Sequence, residues 1–391
     1  MNIKCLALCL YLPLNFFAQA PSPGNDPEKS TPLTRARKVD TPMNAEFNNR
    51  RIGGVAQEIT IAFYNLENLF HPSDDPVKFD DDRTPEGADR WTYEKYQAKL
   101  ANMAKAIADI GPVIPSILGL CELENRQVLH DLLRQEVLSA IDYGMIHYES
   151  PDLRGVDVGL LYRKSHFNPR NTRSIAVPLY DEEKDKPLWT RDQLLVEGDL
   201  FGKPIYVIVN HWPSRSGGKQ RSASRRMSAA KVTKRVADSL LRINPQSQIV
   251  IMGDFNDNPD DPSIQKVIQS SAYDSRDYIR NSAQGAPNKG ADFYNPLEKM
   301  YSAGIGSLAF RDQWFLFDQI ILTHNFSTKT SNWRLKSAAI HKANYLVTPH
   351  GRFKGYPFRS MQGSKFMGGF SDHFPVYITL IKQDKEEYHA D

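Results

Sequence analysis

Thiols, charge of one sign and long apolar runs are all scarce in this chain of 391 residues. Of its 3 cysteines, Cys5 and Cys9 sit within the first ten residues, in a run "CLALCLYLPLNFF" that follows Lys4 and precedes "AQA" at Ala18 to Ala20. That succession reads as a secretory signal over residues 1–20 with a small-residue cleavage site. Cys9 lies inside the run rather than at its end, which argues against lipid attachment. Once the signal leaves, Cys121 is the only thiol and no intrachain disulfide can form. In "SILGLCELEN" it reads as a small buried hydrophobe rather than a nucleophile. The signal run is too short to span a bilayer, and no later stretch approaches the ~20 apolar residues of a transmembrane helix. The expectation is a soluble exported protein, secreted or periplasmic. Charge is close to balance, with 49 basic and 46 acidic residues and a net +3 that falls to +2 when Lys4 is lost. Composition therefore neither demands nor excludes a polyanionic partner. A P-loop and a clustered Cys/His zinc pattern are also missing, and nothing implies a protein partner.

What the chain does have is enough apolar residue, 40%, to bury a large core. Residues 21–57 are rich in Pro, Asn, Gly and charge without an apolar period and read as a disordered leader; residues 383–391 read as a polar tail. Between them, short β-branched runs bounded by turn residues predict strands: "ITIAFYN", "SILGLC", "VDVGLLYR", "PIYVIVNHW", "QIVIMGD", "FLFDQIILT" and "FPVYITLI". Helical spacing appears between them. Leu100, Met103, Ile107 and Ile110 recur at three- and four-residue steps, Val128 to Ile141 carry a second apolar face, and a third helix is predicted over about 221–243. Strands apolar on both faces with helices between them imply sheets covered by helices. No linker divides residues 58–382, so one α/β domain is expected.

Polar residues collect where these strands end. In "IVIMGDFNDNPDD", Asp254 and Asn256 alternate along the strand and project from one face, a carboxylate and a carboxamide able to orient water or ligate a hard cation. An EF-hand loop is excluded, because positions six and twelve are Pro259 and Gln265 rather than Gly and Glu. "FYNLENLF" places Asn65 and Glu67 after a strand, "LGLCELEN" places Glu122, "VIVNHWPSR" ends in Asn210 and His211, "FLFDQIIL" encloses Asp318, and "GFSDHFPVYITL" sets Ser371, Asp372 and His373 before a strand. Each has a bland reading: strand-end histidines are usually capped or solvated, Asn-Asp-Pro runs are usually turns, and Glu67, Asn68, Glu124 and Asn125 read as caps. Asp318 resists dismissal. A carboxylate flanked by Phe317 and Ile320 is costly without a partner, and a histidine is the obvious one.

In this order, "NLEN", "CELEN", "NHW", "GDFN", "FDQI" and "SDH" resemble the endonuclease/exonuclease/phosphatase superfamily, whose members look like pancreatic deoxyribonuclease, the abasic-site endonucleases and bacterial sphingomyelinases. The similarity covers about residues 58 to 382. It implies a four-layer α/β sandwich, two packed mixed β-sheets flanked by helices, with the active site at one end. It implies a divalent metal, Mg²⁺ first with Mn²⁺ or Ca²⁺ as alternatives, held by Asn65 and Glu122 with Asp372 nearby. It further implies His373 as general base, Asp318 as the group that orients and charges its imidazole, Asp254 and Asn256 as holders of the nucleophile and phosphoryl oxygens, and His211 as stabiliser of the phosphorus centre or leaving group. Phosphodiester hydrolysis needs phosphoryl charge neutralised, a water deprotonated and an alkoxide stabilised. These residue types meet each need.

Arg154, in "SPDLRGVDVGLLYR", is a candidate phosphate contact with Asp157 supporting a nearby polar group. Arg215, Lys219, Arg221, Arg225 and Arg226 follow His211 and suit phosphate gripping. The stretch 350–370 interleaves Arg352, Lys354, Arg359 and Lys365 with Phe353, Tyr356, Phe358 and Phe366, which suits charge on phosphate and rings on bases. The expectation is an exported metal-dependent nuclease of low sequence specificity with DNA or RNA as partner. The alternatives are a sphingomyelin or phosphoinositide phosphodiesterase or phosphatase, for which "SAGIGSLAF" at 302–310 is the candidate membrane hairpin, and a non-catalytic binding protein. The last should have lost some of Glu122, His211, Asp254, Asn256, Asp318 and His373, and all are present.

Overall fold

Strands that are apolar on both faces need cover on both, and the structure supplies it in four layers. The structure is a computed structural model that describes residues 57–181, 185–272, 293–328 and 331–382. The predicted signal, nearly all of the leader, and the tail lie outside the described residues. No helix among the described residues is long and apolar enough to cross a membrane.

The first sheet takes β1 (Glu58–Leu69), β2 (Ile117–Leu123), β3 (Tyr143–His147), β4 (Asp157–Arg163), β16 (Trp333–Ile340) and β19 (Val376–Lys382) in the order β16-β19-β1-β2-β4-β3. The second takes β5 (Phe167–Ile175), β8 (Gln193–Leu200), β9 (Lys203–His211), β10 (Ile249–Asp254), β11 (Ser270–Ala272), β12 (Phe293–Asn295) and β15 (Asp318–Thr323) in the order β11-β12-β15-β10-β9-β8-β5. Three two-stranded hairpins stand apart: β6 (Leu179–Asp181) with β7 (Lys186–Leu188), β13 (Leu308–Phe310) with β14 (Gln313–Phe315), and β17 (Met361–Gln362) with β18 (Lys365–Phe366). The expected helices form as α1 (Tyr93–Ala108), as α2 (Arg126–Leu133) followed by α3 (Glu136–Ser139), and as α4 (Lys219–Ile243).

Facing rows of Ile61, Phe63, Val207, Val209, Val250, Met252, Ile320 and Ile378 fill the space between the sheets. Each such side chain contributes roughly 1.5–3 kcal/mol on full burial. α1 and α2 cover the outer face of the first sheet through Leu100, Met103, Ile107, Val128 and Leu132, and α4 covers the second through Ala230, Ala237 and Leu240. Close approach between the layers requires glycine in places: a Cβ on Gly119 would stand 2.5 Å from the Met252 sulfur of the opposite sheet.

The two sheets share one device. β1 and β2 are parallel, as are β9 and β10, and parallel neighbours need a crossover, which α1 and α4 supply. The antiparallel partners β19 and β15 then begin near where β1 and β10 finish, with Asp318 paired to Asp254. Strand ends and strand starts bearing the polar residues therefore meet at one end of the sandwich.

Candidate active site

Side chains on one face of a strand recur every second residue, so the rows that fill the core also decide what projects beyond it. Val207 and Val209 lead to His211, and Val250 and Met252 lead to Asp254; running the other way, Leu322 and Ile320 lead to Asp318. His211, Asp254 and Asp318 stand in register across three adjacent strands. Gly253 lets the strands approach there, since its Cβ would lie 2.4 Å from the Asn210 carbonyl oxygen. Asn210 itself points to the other face, where its side-chain oxygen accepts from Thr233 of α4 and from the Trp212 indole.

The first sheet contributes by breaking its period. Ile59, Ile61 and Phe63 lead to Asn65, whose amide donates across the sheets to Asp254 Oδ2 at 3.0 Å. Glu122, however, is one residue after the core-facing Cys121 and on strict alternation would point outward. It does not: its φ is 58°, the register of β2 shifts at that point, and its Oε1 comes within 3.7 Å of His211 Nε2. The irregularity re-aims the side chain into the site. Its other oxygen accepts from the Asn68 amide at 3.0 Å. Left-handed backbone at Glu67, Asn68, Glu122 and Asn256 is concentrated here, as strain commonly is at functional sites.

Glu122, His211 and Asp254 offer ligand atoms that all lie within 4.8 Å of one another. Among the described residues, no Lys or Arg pairs with either carboxylate; the groups near them are histidines, with Asp254 Oδ2 3.9 Å from His211 Nε2 and 4.0 Å from His373 Nε2. Burial, with the neighbouring Asp318 and Glu122 charges added, pushes the Asp254 carboxyl up to about 7. A divalent cation would relieve that crowding, and the oxygen donors fit a hard one. Glu122 and Asp254 would hold it, with Asn65 beside them.

His373 and Asp318 form the predicted pair, Nδ1 to Oδ2 at 2.6 Å. Asp318 Oδ2 also accepts from Ser307 at 2.5 Å, while its Oδ1 is buried without a hydrogen-bond partner. Burial would lower the His373 imidazole, but Asp318, Asp372 and Asp254 outweigh it and hold its pKa well above the usual value. His211 goes the other way: burial, then the Arg191 and Arg154 charges, push it well below, so it is neutral. One sandwich end thus holds one basic and one neutral imidazole. Ser371 ties this corner together, donating to the Asn65 carbonyl at 2.7 Å and accepting from the His373 amide.

The remaining expectations fare variously. Asn256 receives its orientation from the Trp212 carbonyl, to which its amide donates at 3.0 Å. Asp372 pairs with Arg359 at 2.7 Å, with its other oxygen 3.9 Å from His373 Nε2. Arg154 leans on Asp152 with its side chain half exposed, and Asp157 accepts from the Ser150 amide and pairs with His147. Arg215 and Lys219 are drawn to Asp257 and Asp261, so they serve the fold at the site's edge in this state. Cys121 is buried, and burial pushes its thiol up, as the inert reading requires. Asn125 caps α2, but Glu67 is not a cap. It accepts from the Ser360 and Met361 amides and fastens the 348–370 segment to β1.

Two residues went unnoticed in the sequence. Lys99 is fully buried, its ammonium donating to the Glu67 carbonyl and the Ser360 hydroxyl; burial lowers it to about 8. A lysine on the apolar stripe of α1, four residues before Met103, was the available signal. Arg191 donates to Asp152 at 3.1 Å and to the Trp212 carbonyl at 2.6 Å, bracing the turn that carries His211. Nothing local in "LWTRDQ" announces it.

The Endonuclease/Exonuclease/phosphatase family description matches residues 60–382. Comparison with curated proteins gives no match. Among solved structures, the chain is similar to an endonuclease/exonuclease/phosphatase family protein from Bacteroides thetaiotaomicron, at 15% identity over 86% of this chain and 99% of that one, TM-score 0.49. It is also similar to a humanized D. rerio TDP2 with 14 mutations, at 16% identity over 83% and 98%, TM-score 0.48. A functionally unknown conserved protein from Enterococcus faecalis V583 stands alongside at 16% identity over 83% and 100%, TM-score 0.47. With residues 60–382 matched, this chain belongs to the Endonuclease/Exonuclease/phosphatase family, whose members are generally phosphoesterases that use a divalent metal.

Proposed function

We propose that the protein is a metal-dependent phosphodiesterase acting on nucleic acid, a nuclease of low sequence specificity, with Mg²⁺ as the working ion. The observation that carries the hydrolytic reading is the His373–Asp318 pair at 2.6 Å, set opposite Glu122 and Asp254 at the same sandwich end. When bound, the cation supplies neutralisation of phosphoryl charge and of the developing alkoxide. The chain does the rest. In its neutral form, His373 Nε2 takes a proton from the attacking water while its Nδ1–H donates to Asp318, which fixes the ring orientation. Asp254, fixed by Asn65 and by the Asn256 amide, positions that water. Neutral His211 presents a nitrogen to the phosphoryl group without adding charge, and its ring is immobilised by burial.

The nucleic acid assignment draws support from the cations and rings of residues 350–370, which border the site at Asp372. Within the segment 302–310 offered to a lipid reading, Ser307 donates to Asp318 of the catalytic pair, while Ile305 and Phe310 stay exposed. The test is hydrolysis by the full chain of supercoiled DNA, total RNA, sphingomyelin vesicles and bis-p-nitrophenyl phosphate, with Mg²⁺ or EDTA, beside His373→Ala. Mg²⁺-dependent cleavage of nucleic acid that the substitution removes is expected. Cleavage of lipid or the small diester alone would retain the chemistry and overturn the substrate; no turnover with any ion would overturn both.

A further inference from the structure

Beside Asp372 a cavity of about 320 Å³ opens between the β13–β14 hairpin and residues 348–367. The reaction steps above make no use of it. Its walls carry Phe310 and Phe353, which are 59% and 39% exposed. Each ring has a guanidinium over it: Arg311 lies 5.1 Å from the Phe310 ring centre and Arg352 5.7 Å from that of Phe353. Tyr356 is held rigidly between the two segments, donating to Asp312 Oδ1 at 2.6 Å and accepting from the Asp312 amide at 2.8 Å. Arg359 and Asp372, paired at 2.7 Å, form the side toward His373. The segment is fastened before any ligand arrives, because Glu67 grips Ser360 and Met361.

An occupant must accept ring and guanidinium faces and must be joined to a phosphodiester at the neighbouring catalytic corner. An acyl chain fails the first condition, since it offers the Arg311 and Arg352 guanidinium faces neither charge nor a hydrogen-bond acceptor. A nucleobase meets both: its flat face stacks on Phe or Arg, its edge can pair with the Gln362 amide in the wall, and its flanking phosphates answer the arginines. We propose that this cavity holds the nucleobase next to the scissile phosphodiester, an inference that rests on the nuclease reading. Stacking is tolerant of base identity, which accounts for low specificity without direct readout.

The test compares two fluorescent hexamers with the full chain in EDTA, where no turnover intrudes. One has tetrahydrofuran in place of every base; the other carries a single central adenine. Anisotropy should show roughly 5- to 150-fold tighter binding of the adenine strand, the range a stacked base supplies. Phe310→Ala with Phe353→Ala should bring that ratio close to one, and Phe310→Tyr with Phe353→Tyr should restore it. A ratio unchanged in the alanine variant, or an equal loss on both strands, overturns the subsite. So does binding of sphingomyelin vesicles that the alanine variant loses. Adding Mg²⁺ separates the two ideas: wild type that cuts DNA or RNA while the ratio ignores Phe310 and Phe353 sinks the subsite alone. Wild type that cuts neither sinks the nuclease reading and the subsite with it.

Discussion

Asp254 and Asp257 are three residues apart in "DFND", both buried, and their surroundings are opposite. Asp257 has Arg226 Nε at 2.7 Å and Arg215 at 3.3 Å, and it accepts from Ser263 at 2.7 Å. Neighbouring Asp261 takes Arg215 at 2.7 Å and Lys219 at 2.6 Å. Asp254 has the Asn65 carboxamide, the Asn256 backbone amide and two distant imidazoles, and no Lys or Arg among the described residues. The chain completes its own charge pairs at the first centre and leaves the second for something brought from outside. Cations of α4, which a sequence reading assigns to phosphate, are partly spent in docking the helix to the loop after β10. The difference is functional because a carboxylate whose protein partner is already present has little left for a metal.

The contrast can be broken most severely on the open side. His373→Ala should cut kcat roughly 10²- to 10⁴-fold, the usual yield of a positioned base, while the Arg226–Asp257 pair stays intact; steady-state hydrolysis with circular dichroism on the same sample checks both halves. Next in size is the closed side. Asp257→Ala strands the buried Arg226 guanidinium and should cost about 3–5 kcal/mol in urea unfolding, with kcat per folded molecule little changed. A third measurement sharpens the comparison by ligand. Mg²⁺ at about 100 times its Kd should add about 2.7 kcal/mol to stability, seen as a raised melting temperature. Glu122→Ala should abolish that increment and Asp257→Ala should retain it.

The smallest effect lies away from both centres. Burial, with Arg163 nearby, lowers His166 to about 4, so the unfolded chain binds a proton there before the folded one does. Its contribution is intact above about pH 6.5 and is lost as pH falls from there towards 4. His166→Gln should flatten that part of the stability curve, as urea midpoints at successive pH values would show. A slope unaltered by the substitution would assign the pH dependence elsewhere.

Much of this was legible because strand period and strand ends are local. The seven apolar runs became strands, and the polar residues at their ends met as the βαβ crossovers demand. The helix predicted over Val128 to Ile141 is interrupted after Leu133, where α2 stops and α3 begins at Glu136. β5 went unread because "FNPRNTRSI" is a largely exposed edge strand with a proline and no apolar alternation. The inward turn of Glu122 contradicts alternation and depends on a left-handed residue that no propensity selects. Arg191 and Arg215 find their carboxylates 39 and 46 residues away, a separation at which one sequence carries no pairing signal.

The left-handed backbone at Glu67 and Glu122 has a consequence for variation in the chain. At both positions glycine would relax the main chain, and replacement by alanine would keep the strain while deleting the carboxylate. Selection for thermal tolerance alone would therefore drift first at Glu122, whose carboxylate has no Lys or Arg ion-pair partner among the described residues, and less at Glu67, whose carboxylate accepts from Ser360 and Met361. A library screened only for heat resistance should enrich Gly at 122 and return robust, inactive protein, with durability and turnover pulling one residue in opposite directions.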